Sequence, residues 1–203
     1  MIIGICCVDN NWGLGRTNKE TGKGELLFKL RKDMEFFQDI TKKAGIVVFG
    51  ENTYLSLPKR PLKDRVNVVL CQEGHEYEGC LCFHSFDKLL NFVQVMAKRF
   101  DVCICGGGMM YKSMLPYCQE VIVNKVKAVD PETTVFFPNM DEEKDFVVSK
   151  VDEVQIDNGY ETQFYVYKRK PAEVPIKKPK LKLTTAMHIT EENLDLFEEA
   201  LRR

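Results

Sequence analysis

The sequence predicts an α/β fold: a mostly parallel central sheet with flanking helices and an antiparallel C-terminal edge. Three observations predict it. Short apolar, β-branched runs alternate with helical segments along the early part of the chain, the pattern of βαβ units and a parallel sheet. Glycines mark two strand-to-helix junctions, at Gly50 and at Gly106-Gly107-Gly108. Beyond residue 146, strand-like runs follow one another, and Asp157-Asn158-Gly159 supplies hairpin-turn chemistry.

In chain order, Ile2–Val8 is an apolar run that reads as a strand, closed by Asp9-Asn10-Asn11. Residues 9–25 are polar and glycine-rich and read as one long loop. Helical periodicity covers 26–40, and residues 44–49 form the next strand, ending at Gly50. A short helix over 52–57 is closed by Pro58. Strands follow over 65–71 and Cys80–Phe83, then an amphipathic helix over 86–100. A strand over 102–105 runs into the three glycines, and a helix over 109–115 stops at Pro116. Strands at Glu120–Val126, 146–154 and 161–170 complete the sheet, the last two as a hairpin. There is no internal repeat.

Residues 1–170 thus read as one domain and 171–203 as an extension. Pro171, Pro175 and Pro179 punctuate a Lys-rich stretch, an extended linker. A short amphipathic helix over 190–203 follows: Thr190-Glu191-Glu192 suits a helix start, Leu194, Phe197 and Leu201 share a face, and Arg202-Arg203 suit the negative end. A helix this short is not stable alone. It docks on its own domain, docks on a partner protein, or frays.

Composition narrows the function classes. With 203 residues, 44% of them apolar, the chain can bury a sizeable core. A formal net charge of −1 offers no basic field for nucleic acid. The N-terminal apolar run has no basic residue before it and is shorter than a signal-peptide core. No stretch approaches the roughly 20 apolar residues of a membrane span, so a cytoplasmic protein is expected. The eight cysteines include the pairs Cys80/Cys82 and Cys103/Cys105 and the adjacent Cys6-Cys7, without any C-x-x-C, and the three histidines are scattered. That spacing suits small buried thiols in a reducing compartment and no metal site.

The candidate chemistry centres on Asp33. Within the helical pattern, Leu30, Met34, Phe37 and Thr41 share one face, and Asp33 lies beside Leu30 and one turn before Phe37. A carboxyl group held among apolar side chains has a perturbed proton affinity and can act as an acid. The simpler reading is an early-helix acid favouring the positive helix end. The two glycine-marked junctions, Gly50 before Asn52-Thr53 and Gly106-Gly107-Gly108 before Met109, suit a pyrophosphate clamp, because glycine admits a phosphate to free backbone N–H groups. The pattern is not G-x-G-x-x-G, which argues against a standard Rossmann site.

The order of motifs resembles the dihydrofolate reductase family. The matching pieces are Val8-Asp9, Asn11-Trp12-Gly13-Leu14-Gly15, Leu26-Leu27-Phe28 before the Asp33 helix, and Phe49-Gly50-x-x-Thr53. They continue with Arg60-Pro61-Leu62-x-x-Arg65-x-Asn67-Val68-Val69-Leu70, Cys105-Gly106-Gly107-Gly108-x-x-Tyr111 and Phe136-Phe137-Pro138. Coverage runs from residue 1 to about 170.

The resemblance implies a dihydrofolate reductase-like fold and NADPH-dependent reduction of dihydrofolate or a related pterin. It makes Asp33 the catalytic carboxylate, binding the pterin and supporting protonation at N5 while nicotinamide delivers hydride to C6. Phe37 would stack on the substrate rings, Leu57 and Leu62 would wall the aminobenzoyl pocket, and Arg65 would pair with the glutamate α-carboxylate. Ile3 and Cys105 would present backbone carbonyls, with Ile5, Phe28, Met34 and Asn124 completing the substrate set. Gly106-Gly107 would form a cis peptide. The cofactor would meet Cys7, Leu14, Gly15, Leu26, Gly50, Glu51, Asn52, Thr53, Cys71, Gln72, Cys105, Gly106, Gly107, Gly108, Met109, Met110 and Tyr111. A mobile lid would run from Leu14 to Leu26, enlarged by the insertion around Lys19–Gly24.

The departures are equally specific. Where the family usually places bases for the 2′-phosphate of NADPH, this chain has Glu51-Asn52, Cys71-Gln72 and Met109. Lost charge-assisted contacts cost about 1.5–3 kcal/mol each, which leaves NADH as an alternative cofactor. Asn124 stands in place of a threonine that holds a water, Arg31 in place of a proline, and Thr134 in place of an acid. Rivals are a pterin, flavin-precursor or pyrimidine reductase on the same fold, or a catalytically weak folate-binding or protein-binding homologue. The riboflavin-pathway enzymes usually lack a carboxylate matching Asp33.

Overall fold

A computed structural model gives the fold; residues 1–20 and 24–171 are described. In chain order the elements are β1 (Ile2–Val8), β2 (Gly13–Thr17), β3 (Gly24–Leu26), α1 (Arg31–Ala44), β4 (Gly45–Gly50) and α2 (Glu51–Ser56). There follow β5 (Val66–Leu70), β6 (Cys80–Phe83), α3 (Phe86–Met96), β7 (Asp101–Ile104) and α4 (Gly108–Met114), the last running into a 3-10 turn, Leu115–Tyr117. The chain then forms β8 (Glu120–Val126), β9 (Val135–Phe136), β10 (Phe146–Val151), β11 (Gln155–Asp157) and β12 (Tyr160–Arg169).

The main sheet runs β10-β12-β8-β1-β7-β4-β5-β6, with β11 paired to β12. From β8 to β6 every pairing is parallel, as in Ile3↔Cys103 and Ile46↔Val66. The pairs of β12 with β8, β10 and β11 are antiparallel. The predicted mixed sheet is therefore present, antiparallel edge included. Its central strands are apolar at consecutive positions because both faces are covered: Val47 and Val48 are each 0% exposed. One face carries Ile3, Ile5, Val47 and Phe49 against Phe36, Phe37 and Ile40 of α1. The opposite face carries Ile2, Val8, Val48 and Ile104 with Leu89, Val93 and Met96 of α3.

Four details differ from the sequence expectation. The stretch 9–25 is not one loop: β2 pairs with β3 and β9 in a separate three-stranded sheet. Three-residue and two-residue strands without alternation give too little pattern to see. The helix starts at Arg31, not near Leu26, because the segment from Leu26 belongs first to β3 and then to an extended entry whose last residue, Leu30, has φ −112° and ψ 121°. The helix ends on Gly45, whose left-handed φ of 81° lets its N–H reach Thr41 O. The third helix stops at Met96, short of residue 100. The Asp157-Asn158-Gly159 turn joins β11 to β12, not β10 to β12. The proposed linker and the 190–203 helix lie outside the described residues.

Candidate active site

The carboxyl-terminal ends of β1, β7, β4 and β5 open on one sheet edge, and α1 begins there beside them. Asp33 is in the first turn of α1, half-buried beside the end of β1. Asn124 of β8 donates from Nδ2 to Asp33 Oδ1 at 2.9 Å. Asn124 is itself 1% exposed, and its Oδ1 has no hydrogen-bond partner among the described residues. Burial raises the Asp33 pKa, the Asn124 bond works against that, and the nearby Asp157 charge adds to it; the net shift is upward. The place the family gives to a water-holding threonine thus bonds the acid directly.

Both sequence readings of Asp33 apply in part: it is an early-helix residue and it is withdrawn from water. It does not cap the helix. Asp157, from β11, supplies the cap, accepting from the N–H groups of Arg31, Lys32 and Asp33 at 3.1, 2.8 and 3.3 Å. Next to it Asn158 Nδ2 donates to Lys29 O at 3.0 Å. Sequence reasoning saw only a turn in Asp157-Asn158-Gly159, and a cap 124 residues away from its helix leaves no local signal.

Apolar walls flank the acid. Ile3, Ile5, Cys105, Phe37, Leu57 and Leu62 belong to one cluster on the α1 face. Cys7 sits at the end of β1 opposite Asn124; burial, then the Asp33 charge, pushes its thiol well above the ordinary value. Phe36, not assigned from sequence, packs on Phe164 with ring centroids 4.2 Å apart. Phe28 meets Tyr160 edge-on at 5.0 Å. Met34 is not part of the buried stripe: it is 48% exposed, whereas Leu30 and Thr41 are buried.

Arg65 is placed at the far end of this wall. Its Nη1 donates to Thr41 Oγ1 at 2.8 Å and its Nε to Lys63 O at 3.0 Å. Among the described residues no carboxylate forms an ion pair with it. Its pKa is drawn down chiefly by burial, with the Asp64 charge opposing. Its Nη2 makes no hydrogen bond among the described residues, which leaves one arm of a partly buried guanidinium open.

On the other side of Asp33 the two glycine junctions touch. Gly50 N–H donates to Gly106 O at 2.6 Å, and Gly106-Gly107 is a cis peptide, as the resemblance implies. A Cβ on Gly107 would lie 2.7 Å from Thr53 Oγ1, so only glycine fits beside that hydroxyl. Gly108 opens α4. Met110 and Tyr111 turn inward: both are buried in the core, and Tyr111 Oη donates to Ile5 O at 2.6 Å. They support the junction from below instead of facing its mouth. Met109 is 86% exposed, and it lines a groove of about 720 Å³ with Leu115, Phe136 and Arg169, in which Asp33 takes no part. In the small sheet, Gly15 pairs with Leu26, which is exposed, while Leu14 packs on the core. Trp12 is core packing, stacked near Phe137 with Lys125 Nζ 4.3 Å over its ring.

Beyond the glycines, Glu51 follows Gly50 and leans toward β5. His75 Nδ1 lies 2.6 Å from Glu51 Oε1, Tyr77 Oη donates to the same oxygen at 2.5 Å, and Gln72 N–H reaches Oε2 at 3.3 Å. Burial works to raise the Glu51 pKa, but the bonds from Tyr77, His75 and Gln72 together hold it below the ordinary value. Asn52 and Gln72 are exposed and Cys71 is buried. Neither His75 nor Tyr77 was singled out in the sequence; the acid at position 51 was the sole hint. All eight cysteines are free thiols.

A family model described as dihydrofolate reductase matches residues 1–169. The chain is 30% identical to the dihydrofolate reductase of Rattus norvegicus over 186 residues, covering 82% of this chain and 96% of the relative. It is 30% identical to that of Schistosoma mansoni over 188 residues, covering 80% and 93%. It is 30% identical to that of Haemophilus influenzae over 158 residues, covering 75% and 93%. Among solved structures, it superposes on dihydrofolate reductase from Enterococcus faecalis, complexed with NADP(H) and RAB-propyl, with a TM-score of 0.72 and 23% identity, covering 84% of this chain and 97% of that one.

Proposed function

We infer the activity from membership: this chain belongs to the dihydrofolate reductase family, and it reduces 7,8-dihydrofolate to tetrahydrofolate with a nicotinamide cofactor. The rival pterin, flavin-precursor and pyrimidine reductions are not favoured. The observation that carries the residue assignment is Asp33: a half-buried carboxyl with an upward-shifted pKa, bonded by Asn124, on the helix whose Phe36, Phe37 and Ile40 pack into an apolar cluster.

Reduction adds a hydride at C6 and a proton at N5 of the pterin. A nicotinamide cofactor, held by Thr53 and the glycine junctions, would supply the hydride. Asp33 anchors the pterin's amino group and ring nitrogen and holds its proton to higher pH than an exposed carboxyl does, because desolvation disfavours its anion. Asn124 fixes the carboxyl's orientation. Ile3, Ile5, Phe37, Leu57 and Leu62 bury the flat rings and exclude water, with Phe28 and Met34 at the rim. Arg65, braced by Thr41, receives the glutamate carboxylate. Thr53 and the touching backbones of Gly50, Gly106 and Gly107 fit a pyrophosphate, since a side chain at Gly107 would fill the space beside Thr53. Cys7, Leu14, Gly15, Leu26 and Gly108 border that path.

Either NADPH or NADH can be the reductant, with discrimination below about tenfold, since each absent charge-assisted contact is worth about 1.5–3 kcal/mol. No described helix is long and apolar enough to cross a membrane; a cytoplasmic setting is supported by eight free thiols. The extension from residue 171 is read as a linker and a helix that docks on this domain or on a protein partner. Steady-state oxidation of NADPH and of NADH, each with dihydrofolate, tests the function. Turnover that survives Asp33→Asn at pH 7 would remove the acid from its assigned role.

A further inference from the structure

Strand order decides which way a dinucleotide must lie. Asp33 and Asn124 stand at the ends of β1 and β8, the glycine junctions at the ends of β7 and β4, and β5 and β6 come next along the same edge. A cofactor with its nicotinamide toward Asp33 and its pyrophosphate on the glycines therefore carries its adenosine half over β5. There the chain presents Glu51, His75, Tyr77 and Gln72, tied together by the bonds to the Glu51 carboxylate. Resting on the cofactor assignment made above, we propose that the Glu51–His75–Tyr77 cluster selects at the adenosine ribose: it favours a free 2′-hydroxyl, and protonation of His75 relaxes it to admit a 2′-phosphate.

The chemistry follows from the donor set. A carboxylate accepts hydrogen bonds only, so Nδ1 of His75 carries the hydrogen that meets Glu51, and Tyr77 gives its hydroxyl hydrogen to the same oxygen. Oε1 is thereby saturated. Oε2 has one long bond, from Gln72 N–H at 3.3 Å, and keeps a lone pair for a ribose hydroxyl. With the Glu51 side chain only 13% exposed, its charge is weakly screened, and a phosphate dianion beside it is repelled. Among the described residues no lysine or arginine pairs with Glu51; its one partner able to carry positive charge is His75.

His75 is half open to solvent, with 50% of its side chain exposed. The ionisable groups packed around the cluster are Glu51 and Tyr54 from α2, Glu76 and Tyr77 from the loop after β5, Cys71 just past β5, Cys82 of β6, and His84 after β6. His84 is paired with Glu76 at 3.1 Å and bonded to Gln72 O at 2.9 Å, and the Glu76 bond raises its pKa; of the two imidazoles only that of His75 touches Glu51. Protonated, it cancels the carboxylate's charge and turns Nε2 into a donor for phosphate oxygen.

The test is binding, read by fluorescence titration of NADH and NADPH and by competition with 5′-AMP and 2′,5′-ADP, at pH 8 and pH 5.5. At pH 8 wild type should hold NADH at least as tightly as NADPH, the two within about tenfold. Glu51→Gln should tighten NADPH and 2′,5′-ADP about tenfold, a change of roughly 1.4 kcal/mol, and leave NADH within about threefold. In wild type the preference should shift toward the phosphorylated ligands at pH 5.5, and His75→Phe should abolish part of that shift. Because the phosphate's own second ionisation lies near pH 6, the difference between wild type and His75→Phe is the criterion. Either a hundredfold NADPH preference at pH 8 that Glu51→Gln leaves unchanged, or identical pH responses with and without His75, overturns the proposal. Failure of every dinucleotide and nucleotide to bind overturns the cofactor assignment itself, and the proposal with it.

Discussion

Asp157→Ala should damage both the stability of the enzyme and its pH profile, although Asp157 touches no substrate in this reading. Asp157 is 4% exposed, and its carboxylate takes the three leading N–H groups of α1 at 2.8–3.3 Å. The helix has no cap of its own: Leu30 stands at that position without a side-chain bond. Losing a cap costs about 0.5–2 kcal/mol. This one is charged, buried and shared by three donors, so the loss should be near the top of that range, about 2 kcal/mol. For a domain of this size each kcal/mol moves the melting temperature by about 2–4 °C, which gives a fall of about 4–8 °C by circular dichroism.

Asp157→Asn separates charge from geometry. Its amide oxygen still accepts, so the stability loss should be about half as large. The charge effect remains in full. Asp157 is one of the groups that raise the Asp33 pKa, after burial and against the Asn124 bond. Removing its charge lowers the pKa of Asp33, which then gives up its proton at lower pH. The alkaline limb of kcat/KM against pH should therefore move toward acid in Asp157→Asn. If Asp157→Ala melts within about 1 °C of wild type, the cap is not holding the helix, since even the weakest caps are worth about 0.5 kcal/mol. If the pH profile of Asp157→Asn stays in place, Asp33 is not the group that sets that limb.

Other expectations follow from the same geometry. Asp33→Asn should abolish most turnover at pH 7 while raising the melting temperature. The folded pKa of Asp33 lies above its ordinary 3.8, so the fold favours the protonated form and loses stability as pH rises from 3.8 through the folded value. An amide never incurs that loss, and the two proteins should melt alike below about pH 3.8; equal melting at neutral pH would refute burial as the cause. Arg65→Leu should weaken dihydrofolate strongly and a pterin without the glutamate tail hardly at all, measured by KM for each, because a buried carboxylate loses its partner. Asn124→Leu should move the alkaline limb upward, opposite to Asp157→Asn, because it removes the bond that favours the Asp33 anion; movement in the same direction for both would contradict the assigned roles.

The sheet was largely legible because a buried parallel strand declares itself within five or six residues. The 46–49 run is apolar at every position and is buried at every position. The small sheet was not legible for the converse reason: Val135–Phe136 is two residues long and finds its partner Gly13 more than a hundred residues away. Within the site, Asp33, Arg65 and the glycines could be proposed from motif order. Their partners could not. Asp157, Thr41, His75 and Tyr77 act across gaps of 24 to 126 residues, and no local pattern marks such a bond.

That distinction has a physical consequence for where this chain can depart from its relatives. Asp33 is half-buried, has its pKa shifted upward and faces Asn124, and three segments set those conditions separately: α1 positions it, β8 bonds it through Asn124, and β11 controls the charge nearby through Asp157. The tuning groups lie outside the motif, so they can change without moving the acid. Asn124 illustrates this, since an amide replaces a water-holding hydroxyl while the distance to Asp33 is an ordinary 2.9 Å. An amide also presents either a donor or an acceptor by turning over, and its unpartnered Oδ1 is the acceptor a protonated Asp33 would need. A double variant of Asn124 and Asp157 should therefore be non-additive in its pH profile, since both substitutions act through the one carboxyl. Strict additivity would place them on independent groups.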